Sequence, residues 1–197
     1  MKIVQIGCNN GDDEIYKIIS SQNIDFALLV DANPFVLELA KDRYKEYNTV
    51  IIESYLLSDI ESEKTFFIPH FEGHRYSQHS SLSIEHIVKH GHKLDEMREF
   101  TMKSITFEKL LDYYNLYTID YLYIDCEGED FNIVNSIDFA KFNIKKLTFE
   151  HDHIPNKNEK YPYILNKLNK YGYEIDSIKL GNITLIKNDN AFEKKCS

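Results

Sequence analysis

The sequence has little of what marks several common classes of protein. No stretch approaches the ~20 consecutive apolar residues of a membrane helix; the longest apolar runs, such as residues 26–30, are strand-length. Cysteine occurs three times, at Cys8, Cys126 and Cys196. Three widely spaced thiols form neither a zinc spacing nor a disulfide framework, so a reducing, cytoplasmic setting is expected. Arginine occurs only as Arg43, Arg75 and Arg98, and 32 acidic residues face 23 basic ones for a net charge of -9. Phosphate backbones are held by clustered Lys and Arg, so nucleic acid is a disfavoured partner. No Gly-Lys-Ser/Thr is present, which excludes a P-loop, and no third glycine completes a dinucleotide fingerprint after Gly7 and Gly11. The chain enters a strand at once, without the longer apolar core and cleavage site of a secretory signal. No repeat, low-complexity tract or linker is visible, so a single domain over residues 1–197 is the economical reading.

What is present is an alternation of strand and helix periods. Strands are expected over residues 2–6, 26–30, 49–52, 64–68, 119–124 and 146–149, with a closing pair at 173–177 and 182–186 around Gly181. Helices are expected over 12–21, 34–45, 106–114, 129–136 and 160–171. Pro34 suits a first helical turn, and Thr106 suits an N-cap. The alternation predicts an α/β fold with a mainly parallel sheet covered on both faces, and an antiparallel closing pair because no helix separates the last two strands. Residues 70–100 hold six of the eight histidines and little period. They read as an insertion or lid with one short helix over 82–89.

Ligands on such sheets bind beyond the carboxyl ends of the strands. The first strand ends in Gly7-Cys8-Asn9-Asn10-Gly11, where glycine allows a sharp turn and close backbone approach, and the next helix directs free amides to the same space. The second ends in Asp31, placed to bind both hydroxyls of a ribose or to cap the Pro34 helix. The third leads to Ser58 and Asp59, a polar turn able to meet an adenine edge. Strand 119–124 runs into Asp125-Cys126-Glu127-Gly128, and the next strand into Glu150-His151-Asp152-His153. Carboxylates and imidazoles converging at one sheet edge suit a general base for a hydroxyl, or oxygen ligation of a hard divalent cation. The loop histidines, including the pair His90 and His92, read as solvent-exposed rather than metal-bound, since no cysteine or carboxylate cluster accompanies them. His79, Ser80 and Ser81, with Tyr76, are the better candidates for substrate contact.

These pieces together resemble the FkbM-type methyltransferase family, which has the class I S-adenosylmethionine-dependent, Rossmann-like fold. The resemblance rests on Val4 to Gly11, Val30-Asp31-Ala32-Asn33-Pro34, Leu57-Ser58-Asp59, Ser80-Ser81-Leu82, Ile105 to Leu111 and Ile119 to Asp130, in matching order over residues 3–155. It implies a seven-stranded sheet with an antiparallel last strand. It implies that Gly7, Asn9 and Gly11 surround the methionine part of S-adenosyl-L-methionine, that Asp31 binds the ribose beside Ala32 and Asn33, and that Ser58 and Asp59 face the adenine. Catalytic or metal-binding carboxylates would be Asp125 and Glu150, with Glu127 and His151 nearby. Two positions depart from the pattern: Gln5 stands where an acidic residue is common, and Asp31 where glutamate is common.

The function implied is methyl transfer to a hydroxyl of a small molecule, a sugar or glycoconjugate by the family's range. Asp125, Glu150 or His151 would take the acceptor's proton, or Asp125 and Glu150 would hold Mg²⁺ that lowers its pKa. His79, Ser80, Ser81 and Glu127 would contact the acceptor, with the insertion as cover. The alternative is a non-catalytic cofactor-binding module of a larger protein, with a neighbouring glycosyltransferase domain or a second copy as partner. The chain reads as either a minimal enzyme or an excised domain.

Overall fold

The computed structural model describes residues 1–69, 79–152 and 156–188, and every expected strand is present there. His70, His74, Tyr76, His153 and Cys196 lie outside the described residues. The strands are β1 (Lys2–Ile6), β2 (Phe26–Asp31), β3 (Val50–Ser54), β4 (Leu56–Leu57), β5 (Glu63–Pro69), β6 (Met97–Ile105), β7 (Thr118–Ile124), β8 (Asn143–Glu150), β9 (Tyr173–Lys179) and β10 (Asn182–Lys187). The helices are α1 (Glu14–Ser21), α2 (Pro34–Arg43), α3 (Ile84–Lys89), α4 (Phe107–Tyr113), α5 (Asp130–Ser136) and α6 (Lys157–Lys170).

Seven strands form the main sheet in the order β3-β2-β1-β7-β8-β10-β9. β1, β2, β3, β7 and β8 run parallel, while β10 is antiparallel to both β8 and β9. The central strands β1 and β2 are buried on both faces, so they are apolar at odd and even positions alike. Val4, Ile6, Leu28, Val30, Leu122 and Ile124 pack on α4, α5 and α6, while Ile3, Ala27, Leu29 and Tyr121 pack on α1 and α2. This is the Rossmann-like architecture expected, with its antiparallel last strand.

Local chemistry sets the helix starts. Asp13 caps α1 by accepting from the amides of Ile15 and Tyr16. Asn33 caps α2 ahead of Pro34 by accepting from Phe35 N, and Thr106 caps α4 through Lys109 N, as expected. Helix α1 thus begins at Glu14 rather than residue 12, because Asp13 keeps an extended backbone to cap it.

One expectation is corrected. Residues 70–100 do carry a short helix, α3, but the segment is not otherwise without regular structure. Strand β6 begins inside it at Met97, pairs antiparallel with β5 and parallel with β4, and builds a separate three-stranded sheet. Phe100 and Met102 alternate with exposed Glu99, Thr101 and Lys103, and turn toward Leu56, Phe66 and Ile68 beside Ala32 and Leu82. Strand 64–68 belongs to this second sheet, which stands over the carboxyl edge of the first.

Candidate active site

Strand register brings the candidate residues to one level. Ile6 stands opposite Val30 on one side and Ile124 on the other, and Ile124 opposite Phe149. The next residues, Gly7, Asp31, Asp125 and Glu150, therefore leave four neighbouring strands together. Beyond them lies a cavity of about 250 Å³.

The glycine turn forms its floor. Gly7 N and Cys8 N both donate to Val30 O, at 2.8 and 3.0 Å. Gly7 has φ +81°, and a Cβ there would fall 1.7 Å from Asp125 O, so only glycine fits between β1 and β7. Asn9, at φ +47°, donates its amide to Asp31 Oδ2 at 2.8 Å, and Asn33 N donates to Oδ1 at 2.7 Å. Asp31 thus joins two loops. Burial pushes its carboxyl up to about 6, against the lowering effect of those two amides.

Gln5 enters the cavity wall from β1. Its Nε2 donates to Asp13 Oδ2 at 2.5 Å, while its buried Oε1 has no hydrogen-bond partner among the described residues. Asp13 also lines the cavity. Its two oxygens divide the work, Oδ1 capping α1 and Oδ2 holding Gln5. Opposite, Tyr55, Leu56, Leu57 and Phe66 make an apolar wall, with Ser80 and Leu82 beside it.

The remaining wall is acidic. Asp125, Glu127 and Glu129 line the cavity from the loop after β7. Burial and the charges of Asp130 and Glu127 push Asp125 up to about 8. Burial and Asp125 push Glu150 up to about 9. Asp130 is pushed up to about 6 by burial, while its carboxylate accepts from Cys126 N and Gly128 N and so shapes this loop. Burial raises the thiols of Cys8 and Cys126, which makes both poor nucleophiles.

Of the residues singled out in the sequence, Gly7, Asn9, Asp31, Ala32, Ser80, Asp125 and Glu127 line the cavity. Others stand behind it. Gly11 turns at φ +71° over Tyr44, whose ring a Cβ would meet at 2.7 Å, so its need for glycine comes from packing on α2. Asn33 is buried as the α2 cap and donates to Ser80 Oγ at 3.2 Å. Ser58 is fully buried, donating to Glu129 Oε1 at 2.7 Å and accepting from Lys64, with Asp59 at its side. Ser81 donates to Glu127 O at 2.8 Å. Glu150 and His151 close β8 without lining the cavity. His151 packs its ring on Tyr161 with Nδ1 3.3 Å from Asp152, and burial lowers its pKa.

The loop histidines depart from expectation. His86 and His92 are buried rather than solvent-exposed, at 9% and 5% exposure. His79 Nδ1 lies 2.9 Å from His92 Nε2, His79 stacks on His90, and His86 Nε2 lies 2.7 Å from Glu127 Oε2. Burial lowers the pKa of both His79 and His92, which favours the neutral rings this packing needs. Among the described residues no three His, Cys, Asp or Glu side chains assemble as a metal site. Sequence reasoning missed Asp13 and Glu129 as cavity residues and His86 as a partner of the acidic wall; the capping signal at Asp13 was the one local clue.

Residues 3–175 match the family described as the methyltransferase FkbM domain. No curated protein matches the chain. Among solved structures, methyltransferase FkbM from Methylobacillus flagellatus KT superposes with a TM-score of 0.57 at 11% identity, over 94% of this chain and 43% of that one. Aeropyrum pernix fibrillarin in complex with natively bound S-adenosyl-L-methionine superposes at 0.51 with 12% identity, over 94% and 66%. Precorrin-6y C5,15-methyltransferase from Geobacter metallireducens GS-15 superposes at 0.50 with 10% identity, over 95% and 80%. At these identities the likeness is one of fold, and the chain spans less than half the length of the Methylobacillus structure.

Proposed function

Because the chain belongs to the methyltransferase FkbM family, we propose that it is an S-adenosylmethionine-dependent O-methyltransferase whose acceptor is a hydroxyl of a sugar or glycoconjugate. The carrying observation is the cavity at the carboxyl edge of the sheet, where Gly7, Asp31 and Asp125 meet at one level beside an orphaned buried oxygen of Gln5. That oxygen lacks a donor among the described residues, and the Asp13 carboxylate beside it adds negative charge. An α-ammonium group satisfies both. Gln5 and Asp13 thus supply together what a carboxylate at position 5 supplies in the family pattern.

The rest of the cavity suits the same ligand. Gly7 and Asn9 bring backbone close to the amino-acid end. Asp31, fixed by two amides, presents its carboxylate to the ribose hydroxyls next to Ala32, with Asn33 supporting the loop from behind. Tyr55, Leu56, Leu57 and Phe66 offer a flat apolar surface to a purine. Ser58 and Asp59 hold this wall from behind through Glu129 and Lys64.

When bound, the cofactor supplies a methyl group on a sulfonium, already activated for displacement. The chain must align the acceptor oxygen and accept its proton. A carboxyl raised into the range of Asp125 is matched to proton transfer near neutral pH. Glu150 strengthens the acidic field from the next strand, and His151 supports that strand end. Ser80, with Ser81 and His79 behind it, borders the acceptor side, and the segment carrying them excludes water. The acidic wall repels phosphate-rich acceptors, which favours neutral sugars over nucleic acid.

Calorimetric titration of the purified chain with S-adenosylhomocysteine, with NAD as control, tests the cofactor. Transfer of labelled methyl from S-adenosylmethionine to methyl glycosides tests the reaction. Micromolar binding of S-adenosylhomocysteine alone, followed by labelled glycoside, is expected. Absence of binding sinks the reading. Binding without transfer to any hydroxyl favours a recognition module within a longer protein, consistent with the share of the Methylobacillus chain that is matched.

A further inference from the structure

The left-handed backbone at Glu127 is the most constrained feature of the acidic wall. Glu127 is a non-glycine residue at φ +48°, a conformation that persists only where the surroundings hold it. Two contacts do so from one direction. Ser81 Oγ donates to its carbonyl at 2.8 Å, and His86 Nε2 meets its carboxylate at 2.7 Å. Both belong to the segment that leads into and through α3. That segment is itself braced: Ser83 N donates to Ser81 Oγ at 3.1 Å, and Ser83 Oγ accepts from His86 N at 3.2 Å. The His86 side chain is 8% exposed and Glu127 21%, so the pair meets where the protein surrounds it on the imidazole side and the cavity opens on the carboxylate side. Behind His86, the His90 ring lies 4.4 Å away, with its Nδ1 2.9 Å from His86 O, and His79 stacks on His90.

We propose that His86 is a positioning residue for methyl transfer: it aims the Glu127 carboxylate at the acceptor hydroxyl, so that Glu127 receives the proton as the oxygen takes the methyl group. The proposal rests on the methyltransferase reading of the cavity. The balance is simple. The sulfur–methyl bond breaks toward sulfur, the oxygen–methyl bond forms, and the hydroxyl proton passes to Glu127 and on to solvent. No oxidant or metal enters. A carboxylate fixed by an imidazole loses rotamer freedom. Glu150 and His151 do not line the cavity; Asp125 does, but among the described residues no side chain anchors its carboxylate as His86 anchors that of Glu127, so the proton falls to Glu127 while Asp125 stands beside it.

The test uses the full chain, labelled S-adenosylmethionine and a panel of methyl glycosides. His86→Phe should lower kcat roughly 10- to 100-fold, the range of a misplaced catalytic group, while leaving S-adenosylhomocysteine affinity and glycoside KM within about twofold. His86→Gln, which still presents an N–H toward Glu127, should recover most of the loss; a merely structural contact would not distinguish Gln from Phe this way. The double variant His86→Phe/Glu127→Gln should be no slower than Glu127→Gln alone. Unchanged S-adenosylhomocysteine binding certifies that each variant is folded. Full activity in His86→Phe, or losses that multiply in the double variant, overturns the proposal. A wild-type chain that binds no S-adenosylhomocysteine, or methylates no glycoside, overturns the reading beneath it instead.

Discussion

Gln5 and Asp13 are joined side chain to side chain at 2.5 Å in the cavity wall, and the Gln5 carbonyl oxygen is buried without a hydrogen-bond partner among the described residues. Asp13 at once caps α1 and holds Gln5. Asp13→Ala should therefore weaken S-adenosylhomocysteine binding by about tenfold, one charge-assisted hydrogen bond's worth, and destabilise the chain by about 1 kcal/mol through loss of the cap. Adenosine, which lacks the amino-acid end, should bind both forms alike. Calorimetry with the two ligands and urea unfolding measure these effects; equal losses for both ligands would refute the assignment.

The acidic wall couples ligand binding to protons. The folded pKa values of Asp31, Asp125 and Glu150, about 6, 8 and 9, lie above those of unfolded carboxyls. The folded state therefore binds more protons, and the stability these groups contribute is full below about pH 4 and lost as pH rises through their folded values. A sulfonium in the cavity favours the ionised carboxylates, so S-adenosylmethionine should release protons on binding at pH 7.5, and more of them than the uncharged thioether S-adenosylhomocysteine. Titrations in buffers of different ionisation enthalpy count those protons. Equal release by both ligands would contradict this electrostatic reading.

The histidine group has the opposite sign. Burial lowers His79 and His92 below their ordinary value, so the stability they contribute is present above about pH 6.5 and lost as pH falls through their folded values. Between pH 7.5 and 5.5 this loss opposes the gain from Asp31, Asp125 and Glu150, so the urea midpoint of His92→Asn should rise more steeply on acidification than that of the unsubstituted chain. An unchanged slope in the variant would place the acid sensitivity elsewhere.

Gly7 and Gly91 make a matched pair of probes, because both have positive φ but only one is enclosed. At Gly7 a Cβ meets Asp125 O at 1.7 Å, whereas at Gly91 nothing among the described residues lies within 4 Å. Gly91→Ala should cost only the left-handed backbone penalty, about 1 kcal/mol. Gly7→Ala must part β1 from β7 and should abolish cofactor binding and cooperative unfolding. Thermal unfolding of the two variants checks the contrast; comparable melting temperatures would negate it.

The strand ends were legible in the sequence because two regularities act together. A parallel sheet with period-two side chains aligns strand termini, so Gly7, Asp31, Asp125 and Glu150 converge once the strands are recognised. Asp13 was not legible as a cavity residue, since an aspartate before a helix looks the same whether it only caps or also reaches inward. Strand β6 carried an alternating signal in Glu99-Phe100-Thr101-Met102-Lys103 that the neighbouring histidine-rich stretch obscured. His86 offered no signal at all. Its helix is six residues long, too short for a period, and its partner lies 41 positions away, a pairing that only the crossover of the chain creates.

The position of β10 bears on how the chain assembles itself. Among the described residues it is the last strand, yet it sits inside the sheet between β8 and β9, with its first residue opposite Glu150 and Asn182 Nδ2 donating to Tyr123 OH. During synthesis the open side of β8 therefore waits, its backbone groups unpaired, until residues 182–187 have left the ribosome. Such a wait is an opportunity for the wrong strand to pair there. A nascent chain stalled before Asn182 would carry the glycine turn and the acidic loop intact, and still present an unfinished sheet to any chaperone or neighbouring chain that meets it.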